Sequence, residues 1–257
     1  MLKTKDRLDL AKPQSNMPVD LVETLTEQGI RPGSYDFAPL GIMRKIIAQR
    51  MMESVSTKPH FSLTMKVELD ALLAFRGELN RAGENKVSVN DLMIKASALA
   101  LRDCPEVNAS FTSQGIITHH NADIAFAVAI EGGLITPIVR KAELKSLLEI
   151  ATETRDLAAR ARSRRLKAEE YSGGSFSVSN LGMFGISSFD AIINPPQSSI
   201  LSIGAAEGSY VFDEGAPRIA QLLTATLTSD HRAVDGASGA RWLKTFKQFV
   251  EQPELLS

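Results

Sequence analysis

The stretch TLTSDHRAVDGASG, residues 226–239, joins a strand-like run to a helix through a short polar loop. Just before it, the apolar side chains of Leu223, Ala225 and Leu227 alternate with threonines, which is the period of a strand with two different faces. After it, aromatic residues recur at helical spacing. The loop holds His231, one of only four histidines in the chain. Its polar residues could equally be ordinary turn residues, and the loop alone does not distinguish the two roles.

The remaining sequence mixes strand and helix patterns without strict alternation. Strands are predicted in HFSLTMKVEL, GSFSVS, SSILSIGAA and QLLTATLT, and DIAFAVAIEGGLITPIVRKA is predicted as two strands turning at Gly132 and Gly133. Helices are predicted in VDLVETLTEQG (from a cap at Asp20 to a stop at Gly29), MRKIIAQRMMESV, DALLAFRGELN, VNDLMIKASALALRD and LKSLLEIATETRDLAARARSRRL, with a last one beginning near Ala237. This order favours an α+β fold, a sheet-and-helix sandwich, over a doubly wound parallel sheet.

Composition limits the classes of protein that the chain can represent. It has 257 residues, of which 44% are hydrophobic, enough for a substantial core. The net charge of -1 gives no general electrostatic case for binding nucleic acid or a membrane. The only cysteine, Cys104, rules out an internal disulfide and fits a reducing compartment. Residues 1–38 are polar and proline-punctuated and are predicted to form an arm or linker, and residues 39–257 a single domain.

Three further classes of function find no support in the sequence. The basic cluster of the long helix contains Arg160 and Arg162, but acidic residues lie nearby and no aromatics interleave, so a solvated helix face is favoured over a nucleic-acid site. No transmembrane span or signal peptide is visible, which favours an intracellular protein. No metal site is expected, because His119 and His120 are adjacent and point to opposite faces of a strand, and no metal-ligand spacing occurs.

His231 can act as a general base, because histidine is the side chain that ordinarily takes up and releases a proton near neutrality. Asp235 is close enough in sequence to fold back and fix the loop, and Gly236 permits a tight turn.

A second candidate lies in GGSFSVSNLGMFG, residues 173–185, where Ser175, Ser177 and Ser179 share one face of a predicted strand. These serines could simply form a polar sheet face. Alternatively, one hydroxyl could donate a hydrogen bond to a developing oxyanion. The alternation does not choose among the three.

The motifs FSVSNLGMFG, INPPQSSILSIGAA and DHRAVDGA, in this order, resemble the catalytic domain of the dihydrolipoamide acyltransferases. These enzymes form the core of the 2-oxo acid dehydrogenase complexes and share the fold of chloramphenicol acetyltransferase. The resemblance runs from about Pro39 to the C-terminus and includes MRKIIAQRM, KPHFSLT, VSVNDLMIKASALAL and GGLITPIVRKA. It is greatest to the pyruvate-type, acetyl-transferring members.

The resemblance implies specific roles for individual residues. His231 would be the general base that removes a thiol proton, Ser179 would stabilise the oxyanion, and Asp235 would hold the loop with Arg44 or Arg50 as its partner. Coenzyme A contacts would come from a set of four residues, namely Arg76, Ser88, Asn180 and Gly204. Arg76 could instead be an ordinary solvated helix residue, and Ala129 and Ala158 stand where some members have polar contacts.

The resemblance also implies partners. Family members form homotrimers with the active site at the subunit interface, and trimers build a cubic 24-subunit or dodecahedral 60-subunit core. Leu255 and Leu256 could supply an apolar C-terminal anchor. Residues 1–38 resemble neither a lipoyl domain nor a peripheral-subunit-binding domain, so the lipoyl group that carries the acyl donor is expected on another domain or chain. The expected compartment is the cytoplasm, or the mitochondrial matrix in a eukaryote.

Three hypotheses about activity follow. The first is acetyl transfer between dihydrolipoamide and coenzyme A. The second is a stand-alone coenzyme A-dependent acyltransferase that acts on another small acceptor. The third is an assembly scaffold without chemistry, which the presence of Ser179, His231 and Asp235 together disfavours.

Overall fold

A mixed seven-stranded sheet forms the framework of the protein, for which we use a computed structural model. The structure describes residues 17–82, 86–213 and 215–257. The part of the predicted N-terminal arm that comprises residues 1–16 lies outside these ranges. By its internal contacts the chain divides into residues 1–47 and 48–257, and the sheet belongs to the second unit.

The strands, in chain order, are β1 His60–Glu68, β2 Ala109–Thr112, β3 Gly115–Thr118, β4 Ile124–Phe126, β5 Val128–Ile130, β6 Gly133–Ile135, β7 Ile138–Val139, β8 Phe176–Asn180, β9 Ser199–Ile203, β10 Glu207–Asp213 and β11 Ala216–Asp230. The helices are α1 Val19–Glu27, α2 Ile42–Thr57, α3 Asp70–Ala82, α4 Val89–Asp103, α5 Leu147–Arg162 and α6 Gly236–Glu251. This mixture confirms the predicted α+β class.

The large sheet runs in the order β1-β11-β9-β8-β4-β7, and β10 pairs with the first half of β11. Strand β9 lies parallel to β8, whereas β11 runs antiparallel to β9. The pairs β2-β3 and β5-β6 form two small separate sheets.

The hydrophobic core lies between one face of the large sheet and helices α4 and α6. Phe176 of β8 contacts Trp242 of α6, with ring centroids 5.0 Å apart. Gly239 brings α6 so close to the sheet that an added Cβ would lie 2.9 Å from the Leu63 side chain. Helix α4 is buried along most of its length, as its nearly uniform apolar pattern predicts. The opposite face of the sheet is therefore left for the serines and threonines that alternate with these core residues.

Three details differ from the sequence-based predictions. Helix α1 begins at Val19, so that Pro18, without a capping side chain, occupies the N-cap position predicted for Asp20. The segment predicted as two strands forms four short ones, β4 to β7, because β5 and β6 pair only with each other and Pro137, just before β7, has no amide hydrogen for a ladder. Leu256 is fully buried in the core of its own chain, so of the two predicted anchor leucines only Leu255 remains exposed, at 42%.

Among the described residues, none of the helices has both the length and the apolar character needed to cross a membrane.

Candidate active site

The loop that carries His231 is fixed on both sides by backbone hydrogen bonds. The His231 amide donates to the Pro59 carbonyl (3.0 Å), just before β1, and the Asp230 amide donates to the Ser198 carbonyl (2.8 Å), just before β9. The amides of Ala233 and Val234 both donate to the Asp230 carbonyl at 3.0 Å. His231 therefore leaves the end of β11 from a closed, well-anchored turn.

Asp230 is fully buried and forms the ionic centre of this turn. Its two carboxylate oxygens accept hydrogen bonds from Nε and Nη2 of Arg232, at 3.0 and 2.8 Å, and the Lys58 ammonium lies 3.6 Å away. Burial by itself would raise the pKa of the Asp230 carboxyl, but the hydrogen bonds from Arg232 and the two positive charges outweigh burial and lower it. Arg232 also lies over the ring of Phe111, 4.1 Å from its centroid.

The imidazole of His231 is exposed to solvent and packs on one side against Phe61 of β1, with ring centroids 4.6 Å apart. Neither ring nitrogen has a hydrogen-bond partner among the residues that the structure describes. A histidine held in this way has both nitrogens available for a substrate, as a general base requires.

Asp235 is the N-cap of α6, and its carboxylate accepts a hydrogen bond from the Ser238 amide at 2.8 Å. This backbone hydrogen bond is the main reason that the pKa of Asp235 is lowered. The carboxylate thus joins the histidine loop to the helix that follows it. A partnership of Asp235 with Arg44 or Arg50 stays a prediction.

The three candidate serines differ in their partners. Ser175 Oγ accepts a hydrogen bond from the Asp123 amide (3.1 Å), and Ser177 Oγ donates to the side chain of Gln197. The Ser179 hydroxyl, half-buried near the end of β8, has no hydrogen-bond partner in the described part of the chain. Of the three serines, Ser179 is therefore the one whose hydroxyl, unpaired within the described residues, can donate to a substrate.

Within one chain Ser179 and His231 lie far apart. Ser179 is in register with Ser202 of β9, and Ser202 is in register with Thr226 of β11, five residues before His231. Five residues of strand and two strand spacings amount to a separation of roughly 20 Å between the two backbones. Because β11 runs opposite to β8 and β9, the two residues lie toward opposite ends of the sheet.

Two of the predicted coenzyme A residues are brought together where α3 meets the start of α4. Arg76 Nε donates to the Val87 carbonyl at 2.8 Å, and Ser88, the next residue, is the N-cap of α4 in a capping box with Asp91. The other guanidinium nitrogens of Arg76 have no partner among the described residues. Arg76 is half-buried, so it is not simply a solvated helix residue. Its observed hydrogen bond, to the Val87 carbonyl, is nevertheless a structural one.

Asn180 and Gly204 form a second group, at the ends of β8 and β9. Asn180 Oδ1 accepts a hydrogen bond from the Gly182 amide at 2.9 Å. Gly204 lies so close to the following loop that an added Cβ would be 1.9 Å from the Ser187 carbonyl oxygen. This close backbone approach explains the glycine without a ligand, and a role for either residue in coenzyme A binding stays a prediction.

Sequence reasoning missed the contributions of Asp230, Lys58 and Phe61. The D-H-R motif did contain a signal for the first, since an acidic and a basic residue flank the histidine directly. Phe61 and Lys58 could be found only from the pairing of β1 with β11, which places Phe61 opposite Ser229. No cluster of three or more potential metal ligands occurs in the described part of the chain.

Comparison with solved structures identifies the class of fold. Chloramphenicol acetyltransferase, at 17% identity and a TM-score of 0.52, covers 79% of this chain and 94% of its own, so the two share a fold. The family model of the 2-oxoacid dehydrogenases acyltransferase catalytic domain matches residues 32–257. The chain belongs to this family.

Individual relatives agree with the family. The dihydrolipoyllysine-residue acetyltransferase component of the pyruvate dehydrogenase complex from Rhizobium meliloti (strain 1021) is 49% identical over 247 residues, which cover 92% of this chain and 55% of that protein. The chain thus spans about half the length of the curated relatives that it matches.

Two solved structures cover nearly the whole chain. Dihydrolipoamide acetyltransferase from Azotobacter vinelandii is 30% identical with a TM-score of 0.85, and covers 96% of this chain and 99% of that one. One serine, one histidine and one asparagine of the Azotobacter protein have been investigated for their role in its catalytic mechanism. The cubic core of the pyruvate dehydrogenase multienzyme complex is 29% identical with a TM-score of 0.84, at the same coverage of both chains.

Proposed function

We propose that this chain is the acetyl-transferring catalytic core of a pyruvate-type 2-oxo acid dehydrogenase complex, and moves an acetyl group between dihydrolipoamide and coenzyme A. The observation that carries the proposal is that, among the described residues, the ring nitrogens of His231 and the hydroxyl of Ser179 have no hydrogen-bond partner. The serine, histidine and asparagine investigated in the Azotobacter protein have the same spacing along their chain as Ser179, His231 and Asp235 have here.

In the proposed reaction His231 removes the proton from the attacking thiol. A thiol has a pKa of about 8.5, so most of it is protonated at neutral pH and a nearby base raises the fraction that attacks. The thiolate sulfur bonds to the thioester carbonyl carbon, and the carbonyl oxygen becomes an oxyanion. When this tetrahedral intermediate collapses, the original carbon–sulfur bond breaks and the departing thiolate takes the proton back from His231. No acyl-enzyme forms.

Ser179 donates a hydrogen bond to the oxyanion in this mechanism and is not a nucleophile. A donor aimed at the position where charge develops contributes about 100- to 1,000-fold to the rate. Asp235 acts indirectly, by capping α6 and holding the histidine loop against it.

The site is proposed to be shared between subunits of a homotrimer. The roughly 20 Å between Ser179 and His231 along the sheet of one chain is too long for both to act on one thioester. A cyclic trimer would repeat the same contact three times, so that His231 of each chain faces Ser179 of its neighbour. Trimers are then proposed to build a larger cubic or dodecahedral core, since solved relatives include a cubic one.

Coenzyme A is proposed to bind through Arg76, Ser88, Asn180 and Gly204. The guanidinium nitrogens of Arg76 that have no partner among the described residues suit the nucleotide phosphates, because a guanidinium donates several hydrogen bonds to one anion. The dihydrolipoyl group would arrive on another domain or chain. The proposed compartment is the cytoplasm or the mitochondrial matrix, because the relatives are bacterial and mitochondrial components of this complex.

The first test is acetyl transfer from acetyl-coenzyme A to free dihydrolipoamide by the wild type and by His231→Ala. We expect the variant to lose about 100-fold or more of kcat while coenzyme A still binds. His120→Ala is the matched control, because His120 is exposed and lies outside the site. Wild-type kcat in His231→Ala would contradict the proposed base.

The second test addresses the shared site. His231→Ala and Ser179→Ala chains are each expected to be nearly inactive, and co-expression should restore activity, because an interface with one intact histidine and one intact serine can form. Random mixing of the two chains leaves about one interface in four intact in a cyclic trimer. No recovery in trimers shown to be mixed would contradict a shared site.

Other outcomes would identify the alternatives. Coenzyme A binding without transfer to dihydrolipoamide would favour a coenzyme A-dependent acyltransferase with another small acceptor. No coenzyme A binding, with intact trimers, would favour a scaffold.

A further inference from the structure

A row of hydroxyl side chains crosses four strands of the large sheet. Thr64 of β1 is in register with Thr226 of β11, Thr226 with Ser202 of β9, and Ser202 with Ser179 of β8. Residues in register point to the same face, and this face is the one opposite the core residue Phe176. Ser202 is thus the side chain directly beside Ser179.

Apart from the pairs that include Ser202, hydroxyls in register on neighbouring strands of this sheet are hydrogen-bonded to each other. Thr64 and Thr226 are joined by an oxygen–oxygen distance of 3.2 Å, Ser62 and Thr228 by 3.1 Å, and Ser199 and Ser229 by 2.8 Å. The Ser202 hydroxyl is the exception. It is 1% exposed and has no hydrogen-bond partner in the described part of the chain, although a hydroxyl stands on each side of it.

A buried hydroxyl without a partner destabilises a protein, and an alanine would avoid that cost. Of its two neighbours, Thr226 is hydrogen-bonded to Thr64, whereas the Ser179 hydroxyl has no partner among the described residues. The parallel strands β8 and β9 lie about 4.8 Å apart, so rotation about χ1 of the two serines can bring their oxygens into hydrogen-bond range.

We propose that Ser202 is a positioning residue for acyl transfer, whose hydroxyl donates a hydrogen bond to Ser179 Oγ when the thioester is bound. The proposal rests on the proposed role of Ser179 as oxyanion donor. A serine hydroxyl has a single proton. When Ser179 Oγ accepts from Ser202, its own proton is directed to the substrate oxygen, and the chain of two hydrogen bonds polarises the donor. Ser202 is buried and does not touch the substrate.

The test is steady-state acetyl transfer between acetyl-coenzyme A and dihydrolipoamide by the intact protein carrying Ser202→Ala. We expect kcat to fall about tenfold with both KM values unchanged, because only the alignment of a transition-state donor is lost. Ser202→Cys, which keeps the volume but donates weakly, should behave like the alanine variant, and Ser202→Thr should retain most of kcat.

Ser97→Ala is the matched control, since Ser97 of α4 is a second buried hydroxyl without a partner and belongs to the helix layer. We expect Ser97→Ala to keep wild-type kcat. Neither alanine variant should lower Tm, because each removes an unpaired polar group. If Ser202→Ala does lower Tm, the kcat of Ser202→Cys, which keeps the side-chain volume, shows whether the lost hydrogen bond or the lost packing lowers the rate.

A double-mutant cycle separates this proposal from the role of Ser179. Ser179→Ala combined with Ser202→Ala should be no slower than Ser179→Ala alone, because Ser202 acts only through Ser179. Unchanged kcat in the Ser202 variants, or an equal loss in the Ser179→Ala background, would overturn the proposal. Unchanged kcat in Ser179→Ala would instead overturn the oxyanion role, and the Ser202 proposal with it.

Discussion

The imidazole of His231 rests against the ring of Phe61, with ring centroids 4.6 Å apart and ring planes inclined at 52°. Phe61 belongs to β1 and is in register with Ser229, two residues before the histidine. The aromatic contact thus ties the exposed imidazole to a strand of the central sheet and limits its rotation. The other fixed points of this turn are its backbone hydrogen bonds and the ion pair beneath it.

Removing the ring of Phe61 should therefore impair catalysis more than folding. We expect Phe61→Leu to lower kcat about tenfold, because the imidazole gains rotational freedom and spends less time in the reactive geometry. Phe61→Tyr keeps the ring and should keep kcat within about twofold. Steady-state acetyl transfer and thermal unfolding of both variants check this. Equal kcat for the leucine and tyrosine variants would contradict a positioning role for the ring.

The buried carboxylate of Asp230 should matter for stability. Asp230→Ala leaves Lys58 and Arg232 without their shared partner, and we expect it to lower the free energy of unfolding by about 3–5 kcal/mol. Asp213→Ala removes an ion pair with Arg218 at an exposed position and should cost less than about 1 kcal/mol. Denaturant unfolding measures both, and similar losses would contradict the buried role.

The same carboxylate predicts a pH dependence. Because the folded-state pKa of Asp230 is lowered, its contribution is fully present above the unfolded pKa of about 3.9 and is lost as the pH falls through the folded value. Asp230→Asn should therefore flatten the acid side of the curve of stability against pH. An unchanged acid limb in Asp230→Asn would show that other carboxyls determine it.

Asp235 offers a test of capping against charge. Asparagine is also a good N-cap, so Asp235→Asn should keep Tm near that of the wild type at neutral pH, whereas Asp235→Ala should lower it. The lowered pKa of Asp235 means that the cap weakens as the pH falls below its unfolded pKa, and the asparagine variant should lack this weakening. If kcat falls by the same factor in Asp235→Asn and Asp235→Ala although only Asp235→Ala lowers Tm, the negative charge acts in catalysis and not through the cap.

Two glycines should respond in opposite directions to alanine. Gly204→Ala places a Cβ against the Ser187 carbonyl, a backbone group that cannot move away cheaply, so we expect a loss of about 3 kcal/mol in the free energy of unfolding. Gly77, within α3, has open space around it, and Gly77→Ala should gain about 0.5–1 kcal/mol. Denaturant unfolding of the two variants checks this. A stable Gly204→Ala protein that no longer bound coenzyme A would instead support a ligand contact at Gly204.

Local patterns in the sequence predicted much of the fold and the position of His231 in a loop after a strand, whereas the choice of Ser179 among three serines came from the family resemblance. Alternation along β8 and β11 correctly separated the core-facing residues, such as Phe176, from the hydroxyl face. The burial of α4 followed from its composition. These features depend on neighbours a few residues apart, which a local pattern records.

Relationships between distant segments could not be read in this way. Strand β10 was not predicted, because its pairing with β11 buries little: Tyr210 and Phe212 are 77% and 78% exposed. The placement of Ser202 beside Ser179, and the distance of both from His231, depend on strand order and register. A single sequence does not specify which strands meet, because many pairings would satisfy the same alternation.

The order of the strands also has a consequence for biosynthesis. Strand β11 lies between β1 and β9, yet it is the last strand of the chain, and His60 pairs with Asp230. While the polypeptide emerges from the ribosome, β1 and β9 remain without their common neighbour until residues 216–230 have been translated. Such long-range closure makes folding slow and leaves strand edges open to wrong pairing. The nascent chain is therefore most prone to aggregation before residues 216–230 are released.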